Sequence, residues 1–303
     1  MPFDMKYKVV AWVKKVVRDF SDCYCSMLAL VLLLCVLLSV AKLCVADDRA
    51  RTMISERSDV MISNVGHGQN ATVKTRGVLC LAFDDRNFDS WERCIPLFEK
   101  YDAHATFFVC GPIDVRAEKC MRRLSEAGHS IGLHGLHHSN ALKDIAKLGE
   151  ERYLRKEILP QLSVCREKGL SVRSFAYPYS ARSQQSDTLL LRYFDRLRGG
   201  FGKVGDKSWG EWTPPFPVNE APSNRVMMAM AGTKPRDAPK RIAAMMPQIA
   251  ASNVVFSAYA HDIEANGAKH SRNNITEEDL EMVLAAAKVS GVAIVGFDEL
   301  PMK

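Results

Sequence analysis

The sequence predicts an α/β domain whose strands close into a barrel, carried behind an N-terminal transmembrane helix. Three observations lead there. From Arg76 onward, short apolar runs alternate with amphipathic stretches, and repeated βα units imply parallel strands joined by right-handed crossovers. The number of those units suits a barrel, in which active groups collect at the C-terminal strand tips. Ahead of them, Cys23 to Ala41 carries no charge, is dominated by Leu, Val and Ala, and is long enough to span a bilayer core. With 303 residues and 47% hydrophobic content, the chain can bury a full core.

Taken in order, Gly77 to Phe83 reads as a buried strand and Trp91 to Tyr101 as a helix with Ile95, Leu97 and Phe98 on its apolar side. Ala105 to Val109 is a strand, Val115 to Ala127 a helix, Ser130 to Leu133 a strand and Glu151 to Glu167 a long helix. Arg173 to Tyr179 follows as a strand and Thr188 to Leu197 as a helix. In the looser second half, Arg225 to Ala231 and Val254 to Tyr259 are strands around a helix from Ala238 to Ala251. Thr276 to Val289 is a helix that opens with a cap and three acids, Glu277, Glu278 and Asp279, at the positive end of its dipole. Val292 to Phe297 closes the domain as a last strand.

The chain divides into a cytoplasmic segment at 1–22, a transmembrane signal anchor or signal peptide at 23–46, a stalk at 47–74 and the folded domain at 75–303. Lys6, Lys8, Lys14, Lys15 and Arg18 precede the apolar run, a bias that places the N-terminus in the cytoplasm and the domain outside it. The alternative is cleavage after Cys44-Val45-Ala46, which would release a secreted protein. The net charge of +6 owes much to the N-terminal lysines. What remains is too small and scattered to argue for nucleic acid. The lipid bilayer is the partner that the N-terminal helix implies. Cys80, Cys94, Cys110, Cys120 and Cys165 show no CxxC spacing and read as small buried hydrophobes, with one disulfide among Cys94, Cys110 and Cys120 left open. Asn70 and Asn274 head glycosylation sequons.

The chemistry concentrates at strand tips. Val78 through Phe83 delivers Asp84 and Asp85, whose side chains leave a strand end in different directions, so one carboxylate can bind a metal while the other takes a proton. Downstream, His134 and His138 stand at i and i+4, where one helical turn would bring both imidazoles to one cation. Two His and one Asp leave coordination positions free for water and substrate, the pattern of a catalytic site. His137 could replace either ligand at a poorer spacing. His261 ends the strand Val254–Ala260, placed to give a proton to a leaving group. His104 and His129 begin strands, point to the opposite barrel end and are structural.

These residues fall into a known order. Ala82-Phe83-Asp84-Asp85, His104 through Val109 with Gly111, Gly128 through His138, Phe175-Ala176-Tyr177-Pro178-Tyr179 and Ala260-His261 succeed one another across residues 76–299. In that combination the chain resembles the NodB-homology polysaccharide deacetylases, carbohydrate esterase family 4. The resemblance implies a distorted (β/α)7-type barrel that removes N- or O-acetyl groups from an acetylated glycan. It implies that Asp85, His134 and His138 hold a divalent metal, zinc or alternatively cobalt, and that Asp84 is the general base on the attacking water. It further implies that His261 protonates the leaving amine and that the Tyr179 backbone N–H helps hold the oxyanion.

Three residues depart from the family pattern. Gly135 stands where Ser or Thr is preferred, and Ser180 follows the Pro-Tyr pair in place of Gly. Ala176 occupies the position of an Arg that orients the base, with Arg198 on the next strand as a substitute, and the nearest partner acid beside a Trp is Glu211-Trp212. Two alternatives follow: hydrolysis of another non-peptide C–N bond at the same site, or a glycan-binding protein without turnover. Trp209, Trp212, Phe216 and Tyr259 are candidates to stack on sugar rings.

Overall fold

Strand β1, Val78–Asp85, is where the barrel begins and where it closes. A computed structural model of the chain describes residues 77–201, 216–221, 223–233, 236–267 and 273–302. These belong to the compact unit Val73–Lys303. The expected membrane segment at 23–46, the stalk at 47–74, Asn70, Trp209, Glu211 and Trp212 lie outside the described residues. Among the described residues no helix is long and apolar enough to cross a membrane.

After β1 come β2 (Thr106–Val109), β3 (Ser130–Leu133), β4 (Ser174–Ala176), β5 (Arg196–Phe201), β6 (Val226–Ala231) and β7 (Val254–Ala260). Each pairs in parallel with the next, and β7 returns to β1 with Val78 opposite Val255 and Phe83 opposite Ala260. The result is a closed ring of seven parallel strands with helices outside it, which is the expected architecture. Both faces of such strands are covered, so they read as continuous apolar runs rather than alternating ones.

The two faces nevertheless differ in size. Leu79, Leu81 and Phe83 point outward into the large cluster beneath the helices, together with Phe98, Phe107, Ile131 and Phe256. Cys80 and Ala82 point inward and share the narrow lumen with Phe108, Ala176, Met227 and Val255. The C-terminal segment enters this inner cluster through Phe297 and Leu300. It is pinned there by Arg196, 1% exposed, which donates to the carbonyls of Ala221 (3.0 Å), Asn224 (3.2 Å), Leu300 (3.2 Å) and Pro301 (2.5 Å). A buried guanidinium is tolerated here because its donors are spent on backbone carbonyls.

Several expected elements shift. The helix expected at Thr188–Leu197 is Gln184–Leu190, started by a Ser183–Ser186 capping box, and Arg196 and Leu197 belong to strand β5 instead. The last strand is only Ala293–Ile294, which pairs with β1 outside the ring, and Phe297–Glu299 is a 3-10 turn. The helix expected over Trp91–Tyr101 is two, Phe88–Arg93 and Ile95–Lys100, broken at Cys94 just before Pro96. An unpredicted helix, Ala141–Leu148, is capped by Asn140, which accepts the Lys143 N–H at 3.0 Å. The helix from Thr276 has the expected cap, Thr276 Oγ1 accepting the Asp279 N–H at 3.1 Å. Cys80, Cys94, Cys110, Cys120 and Cys165 are all free thiols, so no disulfide joins them. The Asn274 amide is occupied by Glu264 Oε1 (2.9 Å) and the Asp262 N–H (3.3 Å), and the sequon there is part of the packing.

His104 and His129 are structural, as expected. His104 Nδ1 pairs with Glu299 Oε2 at 3.0 Å. His129 is buried between the rings of Phe98 and Phe107 and accepts the Ala105 N–H at Nδ1 (3.1 Å). Burial, with the nearby His104, holds its pKa down to about 3. The unfolded chain therefore binds a proton at this position below pH ~6.5 that the folded chain refuses, so stability is lost as pH falls from there toward 3. In urea unfolding with chelator present, His129→Gln should show an acid loss between pH 7 and pH 5 smaller than wild type by about 2 kcal/mol. Parallel pH curves for the two proteins would contradict this account.

Candidate active site

The acids expected to differ do so at the level of the backbone. Asp84 follows the inward alternation of Cys80 and Ala82 and is 2% exposed. Asp85 turns to the rim with φ +84, a left-handed conformation that non-glycine residues seldom adopt. Its carbonyl accepts the Cys110 N–H at 2.9 Å. Arg86 fastens the same tip by donating to the carbonyls of Cys110 (2.8 Å) and Pro112 (2.6 Å) and to Asp114 Oδ2 (2.8 Å).

His134 leaves the end of β3 and is 2% exposed. Its Nδ1 lies 2.8 Å from the Ala176 carbonyl, which can only accept, so Nδ1 carries the proton and Nε2 is left as the ligand atom. Burial, eased by Asp84, holds its pKa down to about 4, so the ring is neutral near pH 7. The path to His138 is not the helical turn that the i, i+4 spacing suggested. It is a loop with Gly135 at φ +84 and His138 at φ +53.

The loop still brings the three expected ligands together. His134 Nε2 and His138 Nε2 lie 3.8 and 3.6 Å from Asp85 Oδ1, and the ligand atoms of the three residues lie within 4.8 Å of one another. Ligands about 2.0–2.2 Å from a shared tetrahedral ion stand roughly 3.4 Å apart. The donor set and its spacing fit a divalent metal after small movements. His137 points away and pairs with Glu157 at 2.9 Å, which removes it as an alternative ligand.

Asp84 lies beside this cluster, its Oδ2 3.9 Å from His134 Nε2. Arg198 Nη2 donates to Asp84 Oδ1 at 2.5 Å and also contacts Oδ2. Burial pushes the Asp84 carboxyl up, but Arg198, His134 and His261 together outweigh it and hold the pKa below the ordinary aspartate value. Arg198 is itself 1% exposed, its guanidinium carbon 5.3 Å from the Phe108 ring centroid and 4.5 Å from that of Tyr259. In the β4–β5 register Arg198 stands directly opposite Ala176, so the guanidinium missing from one strand is supplied by its neighbour. The Tyr259 ring, a candidate for sugar stacking, packs on that guanidinium.

His261 follows β7, and its Nδ1 faces the Asn273 carbonyl at 3.2 Å. The carbonyl selects the Nδ1–H tautomer and leaves Nε2 for proton exchange. Trp91 Nε1 donates to the His261 carbonyl at 3.1 Å and fixes its backbone. Tyr179 and Ser180 form a rim turn with φ +57 and +56. Its hydrogen bonds run from Ser180 N–H to Tyr177 O and from Ala181 N–H to Pro178 O, and neither uses the Tyr179 N–H. Consecutive strained residues of this kind gather at functional rims. Two contributors escaped sequence reasoning. Glu157 was legible only as an acid among Tyr153, Leu154, Ile158 and Gln161 on a buried helix face. The Asn273 carbonyl left no sequence signal because it is backbone.

Removing Arg198 strands a buried carboxylate. Arg198→Met should cost about 3–5 kcal/mol in urea unfolding. Adding Ala176→Arg should recover part of that loss, since the new guanidinium starts from the register-paired position. A loss below about 1 kcal/mol, the worth of an exposed pair, would contradict the assignment.

Residues 71–193 match the family model described as Polysaccharide deacetylase. Among curated proteins the chain is 31% identical over 88 residues to YheN of Bacillus subtilis (strain 168), provisionally named a polysaccharide deacetylase, covering 29% of this chain and 30% of that protein. It is 29% identical over 102 residues to a peptidoglycan deacetylase of Helicobacter pylori (strain ATCC 700392 / 26695), covering 33% of each. The matched part thus spans about a third of each relative's length. Among solved structures, the chitin deacetylase of the fungal pathogen Colletotrichum lindemuthianum shares the fold at a TM-score of 0.50 and 16% identity, over 75% of this chain and 88% of that one. The family match over residues 71–193 and the seven-stranded parallel barrel make the chain similar to the polysaccharide deacetylases.

Proposed function

We propose that the domain is a metal-dependent hydrolase that removes acetyl groups from an acetylated polysaccharide, cleaving a non-peptide C–N bond. The observation that carries this reading is the convergence of Asp84, Asp85, His134 and His138 at one end of the barrel, with Asp84 held apart from the ligand set by Arg198. Asp85, His134 and His138 would hold the metal, zinc or cobalt by the chemistry of a carboxylate and two imidazoles. Such an ion supplies Lewis acidity toward water and the acetyl carbonyl.

The remaining work falls to the chain's own groups. Asp84, ionised and buried, takes a proton from the attacking water as oxygen bonds to the acetyl carbon. The Tyr179 N–H at the rim donates a hydrogen bond to the acetyl carbonyl oxygen as negative charge builds there. His261, protonated at Nε2, gives that proton to the sugar nitrogen as the C–N bond breaks, leaving acetate and a free amine. The Nδ1 contact with Asn273 keeps the proton-donating nitrogen unambiguous. A glycan-binding protein without turnover was suggested by Ala176, and that ground weakens because Arg198 restores the charge beside Asp84. The uncharged run Cys23–Ala41 supports anchoring at a membrane with the domain exported to the cell envelope, or secretion if the segment is cleaved.

Acetate release from chitin oligomers and peptidoglycan fragments, with and without chelator, tests the reading. Activity should vanish on chelation and return with zinc. Retained metal with no acetate from any acetylated glycan would sink it. Asp84→Asn should keep metal while turnover falls about a hundredfold or more, whereas His138→Ala should lose both. Unchanged metal content in His138→Ala would show the ligand set to be wrong.

A further inference from the structure

Glu157 is a carboxylic acid at 1% exposure whose side-chain hydrogen bonds both go to one residue. Oε2 accepts the His137 N–H at 2.9 Å, and Oε1 lies 2.9 Å from His137 Nδ1. The Glu157 main-chain carbonyl takes the Leu136 N–H at 3.1 Å. Lys156 Nζ approaches Oε1 only to 3.7 Å. One buried residue therefore grips two successive residues of the loop between the histidine ligands.

The helix carrying Glu157 is built unusually at that place. A π-helical turn, Leu154–Ile158, separates Glu150–Tyr153 from Leu159–Glu167. Single π turns inside helices are costly and cluster at functional sites. The loop makes room for the acid in turn. A Cβ on Gly135 would stand 3.2 Å from Glu157 Oε2, and the glycine's φ of +84 disfavours any side chain there. Glycine at this position is thus matched to the carboxylate beside it.

The other loop residues are held elsewhere. His134 is fixed through Val109 and Ala176, and Gly135 by the Gly111 N–H at 3.0 Å. His138 has ring contacts with His134 and Tyr179 at centroid distances of 4.9 and 4.6 Å, and its backbone sits at φ +53 directly after His137. Its aim toward Asp85 follows from where His137 is anchored.

We propose that Glu157 is a positioning residue that presets His138 for the metal, acting through His137. The proposal rests on the metal-dependent reading above. A ligand loop ordered before binding loses less conformational freedom on binding, so the effect is on affinity for the ion.

The test is zinc titration of the metal-free full-length chain against a chromophoric competitor, with melting of the metal-free protein followed in parallel. Glu157→Ala should weaken zinc binding about 10–100-fold. His137→Ala, at a half-exposed ring, should weaken it by roughly threefold or more, and His137→Asn, whose amide reaches toward the same carboxylate oxygen, should recover most of that. At saturating zinc, kcat should return toward wild type in all three. A merely structural role would lower the metal-free melting temperature and leave the zinc affinity of the folded chain alone. Affinity within about twofold of wild type in Glu157→Ala, or in His137→Ala should Glu157→Ala fail to fold, overturns the proposal. A wild-type chain that takes up no zinc overturns the metal-dependent reading itself, a result seen before any variant is made.

Discussion

A carboxylate inside a parallel barrel is tolerable only beside a fixed positive charge, and the Asp84–Arg198 pair meets that constraint here. Each partner is buried to within 2% of complete exclusion from solvent, where desolvating an ion costs several kcal/mol. The guanidinium meets that cost with a contact to both carboxylate oxygens and with the flanking rings of Phe108 and Tyr259. The consequence reaches beyond stability. A carboxylate with a fixed partner does not swing toward the histidines, so Asp84 and Asp85, adjacent in sequence, face different partners.

Position along the lumen decides what each inward arginine does. Arg196 and Arg198 are two residues apart on β5 and so share the barrel's inner face. Arg196 is lower in the strand and collects carbonyls from the C-terminal segment, which packs Phe297 and Leu300 into the inner cluster. Arg198 is higher and meets Asp84 at the reactive end. Strand-to-strand register transfers this charge without altering the site. Because Ala176 and Arg198 are direct neighbours across β4 and β5, a guanidinium rooted on either strand can approach the same carboxylate.

Strained backbone gathers around the same end. Asp85, His138, Tyr179 and Ser180 all hold positive φ without being glycine. Each is tied by neighbours that over-determine it: Cys110 and Arg86 for the β1 tip, Glu157 and His137 for the histidine loop, Tyr177 and Pro178 for the rim turn. Conformations of this sort cost on the order of 1–3 kcal/mol each and persist where the surroundings enforce them. The rigid barrel supplies the enforcement, and the rim directs the side chains.

By itself the sequence determined the parallel barrel, the acids at the end of β1, the histidine pair after β3 and His261 after β7. Local pattern suffices for these, because a buried parallel strand is a continuous apolar run and its tip is the next polar residue. It also indicated that His104 and His129 lie away from the chemistry. Tertiary structure decided what depends on contacts between distant segments: that Arg198 rather than position 176 holds Asp84, that a loop rather than a helical turn joins His134 to His138, and that Glu157 anchors that loop. Separations of 114 residues between Arg198 and Asp84, and of 20 between Glu157 and His137, leave no periodic trace. The first two residues of β5, Arg196 and Leu197, were misread as the end of a helix because the arginines of this strand break the apolar run that marks a buried strand. Their charges are satisfied only by the closed barrel.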